Sequence, residues 1–304
     1  MKHIRGIFSL CCIAVLLAAC ATTLPVQEVR QVSAAYNAAA GAAAPLLDEL
    51  AIAERRAELR APPEEARAFS AADVTVFLNF DPRAAASLAS IGDPARTAAQ
   101  RRGLKVVGAY VDVLETLAEG RNIEEAKARI QTLASNVAAL AALATGGAAA
   151  AVAPVISALG PILDAAAKAG NAEELRRLVL EGAQPVDDLI GRLIDSSKDI
   201  YTVLIDEPRR AATITFSQNK PAQRAEMLKI KALQVGVANY VVLLQQLRLT
   251  FSALVNVVRA PTQITLSSLT ASSNELLLQA ESARRAYTIL RRTPGADGVS
   301  EVTP

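Results

Sequence analysis

Residues 232–247 read ALQVGVANYVVLLQQL. None of these positions is charged. Leu233, Val235, Val237, Val241, Val242, Leu243, Leu244 and Leu247 fall on all sides of a 3.6-residue helix. A helix that is apolar on nearly every side is a buried one. The helical pattern around this stretch covers 222–259, about 57 Å at 1.5 Å per residue, which is longer than a compact domain is wide. The stretch therefore predicts an elongated bundle with this helix near its axis. Gly236 and Asn239 inside it argue against a lipid-spanning role.

Working outward, the rest of the chain agrees with an all-α fold. Alanine is abundant, aromatics make up 4%, and tryptophan is absent. Alanine and leucine are the strongest apolar helix formers. Asp81-Pro82 and Asp93-Pro94 each put a capping acceptor before a proline at a first helical position. Asn122-Ile123-Glu124-Glu125 and Asn171-Ala172-Glu173-Glu174 are variants of the capping box. Gly120, Gly146-Gly147 and Gly170 supply stops. These signals predict helices over 26–60, 63–80, 94–119, 123–145, 148–169, 172–206, 222–259 and 263–292. Pro45 and Pro185 are expected to kink or split theirs. The bundle forms one domain over 26–292, with a disordered tail over 293–304. Two alternations, 74–80 and 212–216, read locally as strands able to pair as a ribbon, against helical neighbours that tend to override so short a pattern.

A second uncharged stretch, 130–163, has two apolar arms around Gly146-Gly147. One arm carries Leu133, Val137, Leu140 and Leu143; the other carries Val152, Val155, Ile156 and Leu159. This is a small-residue helical hairpin whose arms can pack closely, and it is a candidate surface for a membrane or a partner. Each arm is about 24 Å long, short of a hydrocarbon core of about 30 Å. Pro154, Gly160 and Pro161 interrupt the second arm. Burial within the bundle is the reading these magnitudes favour. In outline, an apolar hairpin on a long helical bundle is similar to the alpha-helical pore-forming toxins, and that likeness implies membrane insertion as the alternative.

At the N-terminus a basic start, Met1-Lys2-His3-Ile4-Arg5, leads into an apolar run over 7–19, the pattern of a secretory signal. The run closes on Leu17-Ala18-Ala19-Cys20, which resembles the lipobox of bacterial lipoproteins. The resemblance implies a signal peptide over 1–19, acylation of Cys20 and a lipidated linker over 20–25. Ala21, where the family uses aspartate to retain proteins at the inner membrane, implies the outer membrane, facing the periplasm. Cleavage removes His3, Cys11 and Cys12, so the mature chain keeps no histidine and only a lipid-bearing cysteine. Zinc and copper lose their usual ligands, and neutral-pH acid–base chemistry loses its usual residue. No metal, cofactor or catalytic residue is expected. Lys2 and Arg5 leave as well, so the net charge of +2 falls to zero. A nucleic-acid partner, which needs a concentrated basic patch, is not expected.

Other patterns have plain readings. Glu64-Glu65, Glu124-Glu125, Glu173-Glu174 and Asp187-Asp188 would offer carboxylate pairs, but adjacent helical residues point about 100° apart. First-turn acids complement the helix dipole instead. Ser217-Gln218-Asn219-Lys220 has the Ser-x-x-Lys spacing without its partner motifs and reads as a loop. Arginine pairs at 55–56, 101–102, 176–177, 209–210, 284–285 and 291–292 read as solvated faces and helix ends. The function expected is a lipid-anchored, non-catalytic envelope protein that is structural or engages a protein partner.

Overall fold

The structure is a computed structural model and describes residues 26–60, 92–120, 123–144 and 172–292. Everything regular among them is helical: α1 (Val26–Arg60), α2 (Ala95–Ala118), α3 (Ile123–Ala144), α4 (Ala172–Asp195), α5 (Ser197–Tyr201), α6 (Glu207–Thr215), α7 (Lys220–Arg259) and α8 (Gln263–Arg292). A π-helical segment, Thr202–Asp206, joins α5 to α6. The sequence-predicted helices at 63–80 and 148–169, the alternation at 74–80, the signal and linker over 1–25 and the tail over 293–304 lie outside the described residues.

Cross-helix hydrogen bonds fix the directions. The Tyr36 hydroxyl on α1 donates to the Leu104 carbonyl on α2 at 2.6 Å, and Arg30 pairs with Glu119 at the other end of the same two helices, so α1 and α2 are antiparallel. The Tyr110 hydroxyl donates to the Leu178 carbonyl at 2.9 Å, while Gln100 reaches Ser196, so α4 runs antiparallel to α2. Arg248 grips Asp187 with two hydrogen bonds of 2.5 Å, and Arg176 reaches the Arg259 carbonyl; α4 and α7 are antiparallel too. Gln246 binds Ser272 across the turn between α7 and α8. One end of the bundle thus carries Val26, Gly120, the start of α4 and the 260–262 turn. The other carries Arg60, Gly92, the end of α3 and Asn219.

The core runs along this axis. Tyr110 and Tyr240 are its largest fully buried side chains, with Leu47, Leu50, Leu114 and Ile190 around them. Tyr110 and Tyr36 each depend on a glycine opposite. A Cβ on Gly182 would stand 2.2 Å from the Tyr110 hydroxyl oxygen, and one on Gly108 would stand 2.6 Å from that of Tyr36. Glycine there lets a helix approach a tyrosine side-on.

Helix ends match the expected chemistry in part. Gly120, at φ 61°, closes α2. Asn219 caps α7, its side chain accepting from Ala222 N at 3.1 Å. Thr262 and Thr265 exchange hydrogen bonds at the start of α8. Asp93 does not cap α2. Its carboxylate binds Arg101, and the cap comes from α1, where buried Glu54 accepts from Arg96 N, Thr97 N and Thr97 Oγ1.

One expectation needs correction, and two alternatives left open by the sequence are narrowed. The predicted helix over 172–206 is broken at Ser196, whose hydroxyl turns back to the Leu193 carbonyl and accepts from Gln100. Such local side-chain bonding competes with the helix ladder. Neither Pro45 nor Pro185 splits its helix. At 212–216 the helical neighbours override the alternation, as the sequence reading favoured: Glu207–Thr215 is helical, opened by Pro208 in its first turn. Only Ala212 of α6 is buried, so no sheet face exists for the alternation to cover.

Candidate functional site

The described residues hold few buried ionisable groups, and each has a structural task. Glu54 is a helix cap. The hydroxyls of Tyr36, Tyr110 and Tyr240 are pushed well above their ordinary pKa by burial. Each donates a hydrogen bond, the last to Gln100 Oε1 at 2.6 Å. Gln100, Ser196 and Tyr240 thereby form one satisfied network joining α2, the break after α4, and α7.

One polar recess of about 150 Å³ lies between α2 and α3, lined by Asp112, Glu115, Thr116, Glu119 and Arg129. Partial burial raises the Asp112 pKa, Arg129 opposes that, and Glu115 adds to it. Among the described residues no group of three His, Cys, Asp or Glu is placed to hold a metal ion.

The sequence-predicted sites distribute as follows. Leu133, Val137 and Leu140 sit on one face of α3, exposed by 1%, 6% and 1%, within the main core. The side chain of Leu143, together with Val152, Val155, Ile156, Leu159 and Cys20, lies outside the described residues. Glu124 lies in the first turn of α3 and pairs with Lys127. Asp187 turns to Arg248, while its neighbour Asp188 is exposed and accepts from Gln184. Several arginines fasten helices: Arg55 binds the Gly92 carbonyl, Arg102 that of Ala139 and Arg284 that of Ala38. Arg101 joins Asp93 and Asp48.

Sequence reasoning missed the exposed apolar side chains. Val235 and Val242, read as buried, are 42% and 43% exposed, and Leu228 and Leu249 are 58% and 60% exposed. Among the described residues α7 alone is long and apolar enough to cross a membrane, yet 56% of its most apolar window is buried, the pattern of a core helix. Their spacing gives no signal of exposure: 228, 235, 242 and 249 recur every seven residues in one narrow stripe, as the buried 230, 237, 244 and 251 do. Comparison with protein-family models, with curated proteins and with solved structures finds no match to this chain.

Proposed function

We propose that the protein is a lipid-anchored component of the cell envelope, held at the outer membrane and facing the periplasm, that works without catalysis by presenting helix faces to a protein partner. The observation that carries this reading is the signal and lipobox pattern ending at Cys20, followed within six residues by α1. Six residues reach at most about 20 Å. With Cys20 acylated, the bundle end bearing Val26 and the 260–262 turn therefore faces the bilayer. Three acyl chains exceed the two signals needed for stable anchoring. α7, about 60 Å long, then carries its Lys220 end away from the surface. The helical core, with its buried tyrosines committed to packing and Glu54 to capping, supports a scaffold rather than a reaction.

The test is metabolic labelling with a palmitate analogue in a bacterial host, followed by membrane fractionation. Wild type is expected in the membrane fraction with label. Cys20→Ala is expected to lose both. An unlabelled wild-type chain would count against the reading.

A further inference from the structure

The bundle end that carries Val26 has two unlike corners. At one, the chain leaves α7 and enters α8 through Arg259-Ala260-Pro261-Thr262-Gln263-Ile264, and every one of these residues is exposed. Ile264 is 79% exposed, more than any other large apolar side chain among the described residues. A lone exposed isoleucine needs no explanation. This one has cationic company. Arg259 ends α7 just before it, and Arg176, at the start of α4, reaches across to the Arg259 carbonyl at 3.5 Å. Both arginines are exposed, and neither has an ion pair among the described residues. At the corner formed by α1, α2 and α3 the cations are already committed: Arg30 pairs with Glu119, and Lys127 with Glu124.

We propose that the 259–264 corner is a foot that touches phospholipid. Pro261 and Ile264 enter the headgroup region of the bilayer that holds the anchor, and Arg176 and Arg259 bind its phosphate groups. The inference rests on the anchored, end-on orientation proposed above and names the residues that meet the lipid. Reach and charge select this occupant. Six residues separate Cys20 from α1, so an acylated Cys20 keeps this end within about 20 Å of the bilayer. α8 runs alongside α1 in the same direction, joined by Thr270–Gln31 and Arg284–Ala38, which sets the foot beside the anchored terminus. A guanidinium can give a phosphate two N–H groups at once. An apolar side chain with cationic flanks is the composition of an interfacial segment. One isoleucine and two arginines supply roughly millimolar affinity for an anionic surface. That is too weak to hold a free protein, but a short tether gives a local concentration of about the same order. The lipid thus supplies attachment, and the foot supplies posture, holding the bundle upright on its anchor.

The test couples residues 20–304 through the Cys20 thiol to a maleimide lipid in vesicles, so its outcome does not depend on acylation in a cell. Amide hydrogen exchange is read at Gln263 and Ile264, whose N–H groups stand in the first turn of α8 without helical partners. On vesicles with about a third phosphatidylglycerol, exchange at both amides is expected to slow severalfold relative to the uncoupled protein. Ile264→Asp should abolish the slowing and Ile264→Leu should keep it, both with an unchanged thermal melt. Arg176→Glu combined with Arg259→Glu should lose most of it, and high salt should weaken it in the wild type. Unchanged exchange at 263 and 264 in the coupled wild type overturns the proposal. So does slowing that survives Ile264→Asp and the arginine pair. Slowing at Glu124 and Glu125 instead would put the other corner on the lipid and also overturn it. Palmitate labelling decides the anchor, and exchange on the coupled chain decides the foot.

Discussion

Tyr110 occupies the space that any side chain on Gly182 would need. Its hydroxyl is committed to the Leu178 carbonyl, and its ring lies 5.7 Å from that of Phe251. Gly182→Ala is expected to lower stability by roughly 1–3 kcal/mol, the usual cost of overpacking, read as a shift in urea midpoint. Glu54 is a second such residue. Its carboxylate takes three hydrogen bonds at the start of α2 from the distance of another helix. Glu54→Ala strands two backbone N–H groups and should cost about 1–3 kcal/mol, with Glu54→Gln milder because an acceptor remains. Asp112 gives a pH signature. Burial raises its pKa above 3.8, so the folded state holds this proton more tightly than the unfolded state. Stability from this group is present at low pH and lost as pH rises through the folded value. The advantage of Asp112→Asn over wild type should therefore grow as pH rises from about 4 and then level off, measured by chemical denaturation across that range.

At the scale of helices, Leu140 shows what α3 contributes. It is 1% exposed, and Leu140→Ala should cost roughly 2–5 kcal/mol, measured by thermal or urea unfolding. Leu140→Asp, a natural choice for testing membrane insertion, would therefore first disturb the bundle. Much at this scale was legible. The sequence bounds of α1 and α8 coincide with the structure, and those of α2, α3 and α7 agree within two residues, because alanine-rich periodicity and punctuating Gly, Pro and Asn residues are local signals. The break at Ser196 and the π-helical segment over 202–206 were not legible. At Ser196 the chain meets Gln100, which Tyr240 holds, and both are far away in sequence. The helical state of 212–215 was partly legible: its β-branched residues alternate, but the helical neighbours that override so short a pattern are themselves readable.

At the scale of the whole molecule, the lipid reading makes a geometric prediction. Spin or fluorescent labels at Gln263 and Ser217, at opposite ends of the bundle, should differ in quenching by a lipid-borne quencher in the acylated protein on vesicles. Gln263 should be quenched and Ser217, about 60 Å further along α7, should not. Equal quenching at both positions would mean that the bundle lies flat on the bilayer. Surface ion pairs such as Lys127–Glu124 and Arg285–Glu281 bridge single turns in water, and breaking either should change stability by less than about 0.5 kcal/mol.

Composition, capping signals and the 3.6-residue period determined by themselves that this chain is a bundle of long helices, because helix formation is a local competition settled within a few turns. Tertiary structure decided which apolar residues were spent on the core. Val235 and Val237 are two positions apart and equally apolar, yet one faces water and the other is 4% exposed. Whether such a residue is buried depends on which neighbouring helix arrives at its side, and α4, α8 and α1 leave one side of α7 open. That open stripe, which no single window of sequence distinguishes from core, is fixed only by the packing of those helices.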